Sequence, residues 1–148
     1  MAAWFDNAID CRRRDDTVRD AIHTLRKYDF DTIAVCGVSG LLLGPILAYE
    51  MGKRLVVVRK KDDSSHSCSM IEGYCGDKYV IVDDLIASGA TVNLIRQHLA
   101  SGLATNGSPP ECVGFYGYYD TAYYLERKGK CDLVGINFLN LCPAPSNA

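Results

Sequence analysis

The stretch that most constrains this chain runs from Tyr79 to Thr91, reading Tyr-Val-Ile-Val-Asp-Asp-Leu-Ile-Ala-Ser-Gly-Ala-Thr. Val80, Ile81 and Val82 form a continuous β-branched run, the pattern of a strand covered on both faces of a parallel sheet. Such a strand brings Asp83 and Asp84 out at its carboxyl end, the edge where open α/β sheets bind ligands. Ala87, Ser88, Gly89, Ala90 and Thr91 then open a helix with main-chain N–H groups, two hydroxyls and a glycine that lets an anion approach the backbone. Carboxylates beside an anion cradle suit a ligand that carries both hydroxyls and a phosphate. A ribose 5-phosphate meets that demand, and the same acids can hold a magnesium shell. The plainer alternative is a buried strand whose acids cap a loop. A P-loop nucleotidase also ends a strand in an acid, but it needs a G-x-x-x-x-G-K-[ST] that this chain lacks.

Around this segment strand and helix patterns alternate in the βαβ manner, which predicts an α/β fold with a mostly parallel sheet covered on both faces. A first helix is expected from about Asn7 to Lys27, with Val18, Ile22 and Leu25 on one face. A strand at Asp31–Cys36 leads through Gly37-Val38-Ser39-Gly40 into an apolar helix from about Leu41 to Met51, with Pro45 tolerated near its first turn. The next strand is Arg54–Arg59, and residues 60–77 read as a polar excursion with room for a short hairpin. Val92, Ile95 and Leu99 form the buried stripe of the helix after the acidic strand. Ser101–Pro110 has loop composition, Cys112–Tyr119 restarts a strand, Asp120 can N-cap a short helix through Arg127, and Leu133–Leu141 suits a final strand. With no internal repeat or linker of domain scale, the expectation is a single domain over residues 1–148.

With 16 Lys and Arg against 18 Asp and Glu, the formal net charge is -2. The broad positive field of a nucleic-acid binder is missing, so any anion site must be local. Seven cysteines, an odd number without a C-x-x-C pair, favour reduced thiols over a disulfide framework or a zinc site. No secretory apolar core and no stretch of membrane-spanning length is visible, and the expected location is the cytoplasm.

All thirteen positions from Tyr79 to Thr91 are compatible with the 5-phosphoribosyl-1-pyrophosphate (PRPP) signature of the type I phosphoribosyltransferases, and the chain resembles that family over roughly Asp31–Thr91. The resemblance implies the family's α/β sheet with a small hood built from about residues 131–148, with the N-terminus as a second candidate contributor, and Mg²⁺-dependent transfer of a phosphoribosyl group from PRPP to a nitrogenous base with release of pyrophosphate. It implies that Asp83 and Asp84 hold the ribose hydroxyls and, through water, the metal, while Ala87, Ser88, Gly89, Ala90 and Thr91 hold the 5-phosphate. The segment from Thr32 to Ala48 resembles the one that carries the pyrophosphate loop of adenine phosphoribosyltransferases, which points to Val38, Ser39 and Gly40, with a strained cis peptide as a candidate feature nearby. Taken alone, these residues read equally well as a tight glycine turn. Ser39 stands where that subfamily has Arg, which shifts weight to Arg59, Lys60 and Lys61 as the cations that stabilise departing pyrophosphate. Arg59-Lys60 with His66 loosely resembles the basic catalytic loop of orotate phosphoribosyltransferases, with Lys60 and His66 as catalytic candidates. His66 and Glu72 otherwise read as loop residues, and His23 and His98 as structural ones.

Enzymes of this family that act on 6-oxopurines carry an Asp where this chain has Ala87, and a Lys on the next strand where it has the aromatic run Tyr116–Tyr119. The resemblance therefore points away from 6-oxopurines. The segment around Ile136, Asn137 and Phe138 resembles a hood strand, implying an apolar side chain over the base and Asn137 on its edge; ordinary core packing explains the three equally well. The family further implies a homodimer. Two other functions fit the same residues: a non-catalytic regulator that binds PRPP or a nucleotide, and a hydrolase that uses water in place of the base.

Overall fold

The computed structural model describes residues 6–60, 70–102, 107–119 and 136–140. Two helices, α1 (Asp6–Ile9) and α2 (Cys11–Leu25), occupy the span expected to be a single helix. The break falls at Asp10, which is extended and N-caps α2 by accepting the Arg12 N–H at 2.9 Å. A carboxylate that satisfies an otherwise unpaired amide competes with helix continuation at that point.

Five strands follow: β1 (Thr32–Val35), β2 (Arg54–Val58), β3 (Ile71–Glu72), β4 (Lys78–Asp83) and β5 (Glu111–Gly117). They form one sheet in the order β3-β2-β1-β4-β5. The β1–β2, β1–β4 and β4–β5 pairs are parallel, and β3 adds a short antiparallel edge to β2. Successive connections from β1 thus run to opposite sides, through α3 (Gly37–Met51) to β2 and later to β4. The gap between β1 and β4 is therefore a topological switch point, where the first turns after the two strands diverge and leave a crevice.

Side chains alternate along the strands into two cores. Ile33, Val35, Val80 and Val82 face α2 and α3, while Ala34, Val56, Tyr79 and Ile81 face α4 (Ala90–Ala100). Val92, Ile95 and Leu99 are the buried stripe of α4, as their spacing predicts. α3 lies close on the sheet because it presents Gly40 and Gly44 to Val35. A Cβ at Gly44 would come within 2.4 Å of Val35 Cγ1, and one at Gly40 within 2.8 Å of Val35 Cβ.

Three sequence expectations change. The helix after β1 begins at Gly37 instead of Leu41, so the glycine-serine segment is its first turn. Pro45 consequently sits in the interior of α3, where it cannot donate to the Leu41 carbonyl. Residues 136–140 form no strand: Phe138 makes one isolated parallel bridge to Phe115. Residues 61–69, which include Lys61 and His66, the helix expected after Asp120, and residues 133–135 and 141 lie outside the described residues.

Candidate active site

β4 delivers Asp83 and Asp84 to the carboxyl edge of the sheet, and both are nearly withdrawn from solvent, at 6% and 8% exposure. The main chain that follows fixes them. Asp83 Oδ1 accepts the Asp84 N–H at 2.9 Å, and Asp84 Oδ1 accepts the Leu85 N–H at 2.8 Å. From the first turn of α3 the Ser39 hydroxyl donates to the same Asp83 Oδ1. Burial pushes the Asp83 carboxyl up to about 6; the Ser39 and Asp84 hydrogen bonds pull it down, and the Asp84 charge adds to the rise.

After Asp84 the chain turns through Leu85 and Ile86 into the small-residue run. Gly89 has φ +84° and caps α4, a left-handed conformation that a side chain at this position would strain. Its carbonyl accepts the first helical bond from the Asn93 N–H at 2.9 Å, and Ser88 Oγ accepts the Ala90 N–H at 3.3 Å. Ala87, Ser88 and Ala90 line the cleft that this turn borders, and Ser88 and Ala90 are exposed. Together with Ser39, the run Asp83–Val92 encloses about 180 Å³. Adjacent carboxylates, a hydroxyl and a helix N-terminus therefore face one space, which can bind a polyol and an anion at once.

The other sequence candidates take different positions. Ser39 lines the cleft, whereas Val38 beside it is 67% exposed and outside the lining. Gly40 is buried between Val35 and the Val82 carbonyl, so packing alone accounts for a glycine there. Lys60 is exposed, with Nζ 3.5 Å from where a Gly37 side chain would begin, which puts its ammonium beside the first turn of α3. The Arg59 guanidinium pairs with Glu72 of β3, with Nη2 at 3.0 Å. Among the described residues all peptides are trans and no residue other than glycine has positive φ, so the strained peptide expected near Ser39 is not found there.

Ile136, Asn137 and Phe138 sit on the outer edge of β5. Asn137 Nδ2 donates to the Val113 carbonyl at 3.3 Å, Phe138 packs edge-on against Phe115, and none of the three lines the cleft. Sequence reading missed Tyr118 as a support of the site. Its hydroxyl donates to the Ser39 carbonyl at 2.8 Å and its N–H to the Asp83 carbonyl at 3.1 Å. Tyr116 in β5 and Tyr118 just beyond its end follow a period of two that was legible, but the partner in the first turn of α3 was not.

The donor set suits Mg²⁺ better than a closed metal cage. Among the described residues no three metal-ligating side chains cluster, and two adjacent carboxylates match an ion that keeps waters and takes its remaining oxygens from a phosphorylated ligand. Among the described residues no helix is long and apolar enough to cross a membrane. The described cysteines 11, 36, 75 and 112 are in no disulfide, and Cys36 is buried.

Comparison with known proteins agrees with this geometry. Adenine phosphoribosyltransferases from Marinobacter nauticus (32% identical over 88 residues, 48% of either chain) and Treponema denticola (29% over 126 residues, 74% of this chain and 55% of that one) are similar in sequence. The chain spans about half the length of the curated relatives it matches. In structure it resembles UMP synthase from Leishmania donovani (TM-score 0.64, 22% identity, 91% of this chain and 28% of that one). It likewise resembles adenine phosphoribosyltransferase from Thermoanaerobacter pseudethanolicus (TM-score 0.59, 23% identity, 87% and 79%). At these identities the structural likenesses bear on the fold, which is that of the type I phosphoribosyltransferases. The profile of the phosphoribosyl transferase domain matches residues 15–140, and this chain belongs to that family.

Proposed function

We propose that the protein transfers the 5-phosphoribosyl group of PRPP to a nitrogenous base in nucleotide salvage, releasing pyrophosphate, with adenine as the first base to test. The observation that carries the reading is the cleft where Asp83, Asp84, Ser39 and the 87–91 turn converge. In it Asp83 and Asp84 accept hydrogen bonds from the ribose hydroxyls, and Ala87 to Thr91 hold the 5-phosphate with backbone N–H groups and hydroxyls. Fixed carboxylates lie close to the ribosyl carbon as it gains positive charge, and their orientation by the Asp84 and Leu85 N–H groups precedes substrate arrival. Pyrophosphate departs toward the first turn of α3, where Ser39 and the Lys60 ammonium meet it. Arg59 and Lys61 serve as further cations for the pyrophosphate, Arg59 by exchanging Glu72 for the ligand. No protein nucleophile is needed, because holding the two reactants in line supplies the rate. Mg²⁺ bound through the two carboxylates would neutralise charge on the departing pyrophosphate. Homodimeric assembly and a base site near residues 136–138 belong to the same reading.

The names of the sequence relatives support adenine, and a Saccharomyces cerevisiae adenine phosphoribosyltransferase of similar fold has been crystallised with adenine (TM-score 0.55, 20% identity). Asp83→Asn combined with Asp84→Asn is expected to abolish pyrophosphate release from PRPP and base while circular dichroism shows a folded protein. Full activity in that variant overturns the assignment. One observation favours a second reading: Ser39, where the adenine subfamily has Arg, uses its hydroxyl on Asp83. A regulator would bind PRPP without releasing pyrophosphate from any of the common bases.

A further inference from the structure

Three segments far apart in the chain meet beside the acidic pair, and one side chain ties them together. Tyr118 follows directly on β5, and its N–H donates to the Asp83 carbonyl at 3.1 Å while the N–H of Tyr119 donates to the Asp84 carbonyl at 2.9 Å. The main chain of both acids is thereby held from the neighbouring strand. The Asn140 amide secures the same point from the outer edge: its Nδ2 donates to the Gly117 carbonyl at 3.0 Å and its Oδ1 accepts the Gly117 N–H at 3.1 Å. Tyr118 is therefore a fixed post. Its ring is buried in the core that α3 also fills, and its hydroxyl donates to the Ser39 carbonyl at 2.8 Å.

No side-chain cap secures the turn that receives this bond. Cys36, the N-cap of α3, makes no such hydrogen bond, and the helix opens on Gly37 at φ +77°. The turn is anchored by the contact of Gly40 with Val35 and the Val82 carbonyl, by the Tyr118 bond and by the Ser39 hydroxyl on Asp83 Oδ1. A serine hydroxyl has one proton to donate. With that proton on Asp83, Ser39 offers pyrophosphate the main-chain N–H that an early helical position leaves unpaired, and its side chain serves the carboxylate. Asp83 Oδ1 thus receives two donors, the Ser39 hydroxyl and the Asp84 N–H at 2.9 Å, which fix the plane of the carboxylate.

We infer that Tyr118 is a positioning residue for Asp83 and acts through Ser39. Its hydroxyl sets the first turn of α3 so that the Ser39 hydroxyl reaches Asp83 Oδ1, and this relay holds the carboxylate as the ribose hydroxyls require. Tyr118 does not itself line the cleft. The ligand named here rests on the transfer reading, whereas the relay belongs to the protein without ligand. Because the effect passes through one hydroxyl, losing the Tyr118 O–H matters only while Ser39 retains its own.

A double-mutant cycle on the full chain tests this, with Tyr118→Phe, which keeps the ring, Ser39→Ala, and the two combined. Amide hydrogen exchange without ligand reads the Asp84 N–H, whose acceptor is Asp83 Oδ1, against Ile81 in the middle of β4, so that a change in overall stability cancels. Each single substitution should speed Asp84 exchange about 3- to 10-fold, and Tyr118→Phe should add less than about 2-fold to Ser39→Ala. Calorimetric titration with PRPP and Mg²⁺ should follow the same pattern: about 3- to 10-fold weaker binding from Tyr118→Phe alone, and less than about 2-fold in the Ser39→Ala protein. A tyrosine that served only the fold would have the same effect in both backgrounds. Asp84 exchange that ignores Tyr118→Phe overturns the inference, as does an equal effect with and without the Ser39 hydroxyl. If the exchange pattern appears in a protein that does not bind PRPP, the relay stands and the transfer reading fails.

Discussion

Replacing Asp83 by asparagine is expected to stabilise the ligand-free fold at neutral pH while ending turnover. The carboxyl is 6% exposed and titrates near 6 in the folded protein, against 3.8 for an ordinary aspartate, chiefly because burial disfavours its charge. At about 1.36 kcal/mol per pH unit that gap is worth up to about 3 kcal/mol. The sign follows from proton binding. The folded state holds the proton more tightly than the unfolded one, so this contribution to stability is fully present below 3.8 and is lost as pH rises through about 6. Above that pH the wild-type fold carries a buried charge, and Asp83→Asn removes the charge while keeping the shape of the side chain. Asparagine retains Oδ1 as an acceptor for the Ser39 hydroxyl and the Asp84 N–H, so the local geometry survives. Urea unfolding followed by circular dichroism, with EDTA and without PRPP, measures the difference. Asp83→Asn should be up to about 3 kcal/mol more stable at pH 7.5, with the advantage shrinking toward pH 4 and the urea dependence of unfolding unchanged. A variant no more stable at pH 7.5, or an advantage constant across that range, refutes the burial argument.

Other consequences are open to direct measurement. Gly44→Ala and Gly40→Ala should each cost about 1–3 kcal/mol in urea unfolding, since the new methyl groups would meet Val35 at 2.4 and 2.8 Å; unshifted midpoints would show that α3 can move off the sheet freely. Glu72→Ala should change stability by less than about 1 kcal/mol, because its pair with Arg59 is partly exposed, while freeing Arg59 and lowering the KM for PRPP if that cation serves the departing pyrophosphate. The half-buried Cys75 thiol, pushed up to about 11 mainly by burial, should react with iodoacetamide at pH 8 far more slowly than exposed Cys11; mass mapping that finds them modified at equal rates contradicts its placement.

The sequence by itself determined the layered α/β architecture and the emergence of Asp83 and Asp84 at the carboxyl end of a buried strand. Uninterrupted β-branched runs such as Val80–Val82 have low-energy solutions only when both faces are covered, and a strand of that kind must bring the next polar residues out at its end. That is why Asp83, Asp84 and the 87–91 turn were legible without coordinates. The buried stripe of α4 was legible for the same kind of reason, as a matter of local periodicity.

Tertiary structure decided what depends on contacts between distant segments. The division of the first helix at Asp10 and the earlier start of α3 at Gly37 arise from cap and packing choices worth about 1 kcal/mol each, below what composition distinguishes. The Ser39 hydroxyl is hydrogen-bonded to Asp83, 44 residues away, and its carbonyl to the Tyr118 hydroxyl, 79 residues away. Gly40 proved to be a point where helix and sheet touch, and Arg59 a partner of Glu72. The bond from Tyr118 to the first turn of α3 became visible only once that helix was laid beside the end of β5, because a side chain's distant partner is a property of the folded surroundings and leaves no mark on the order of residues.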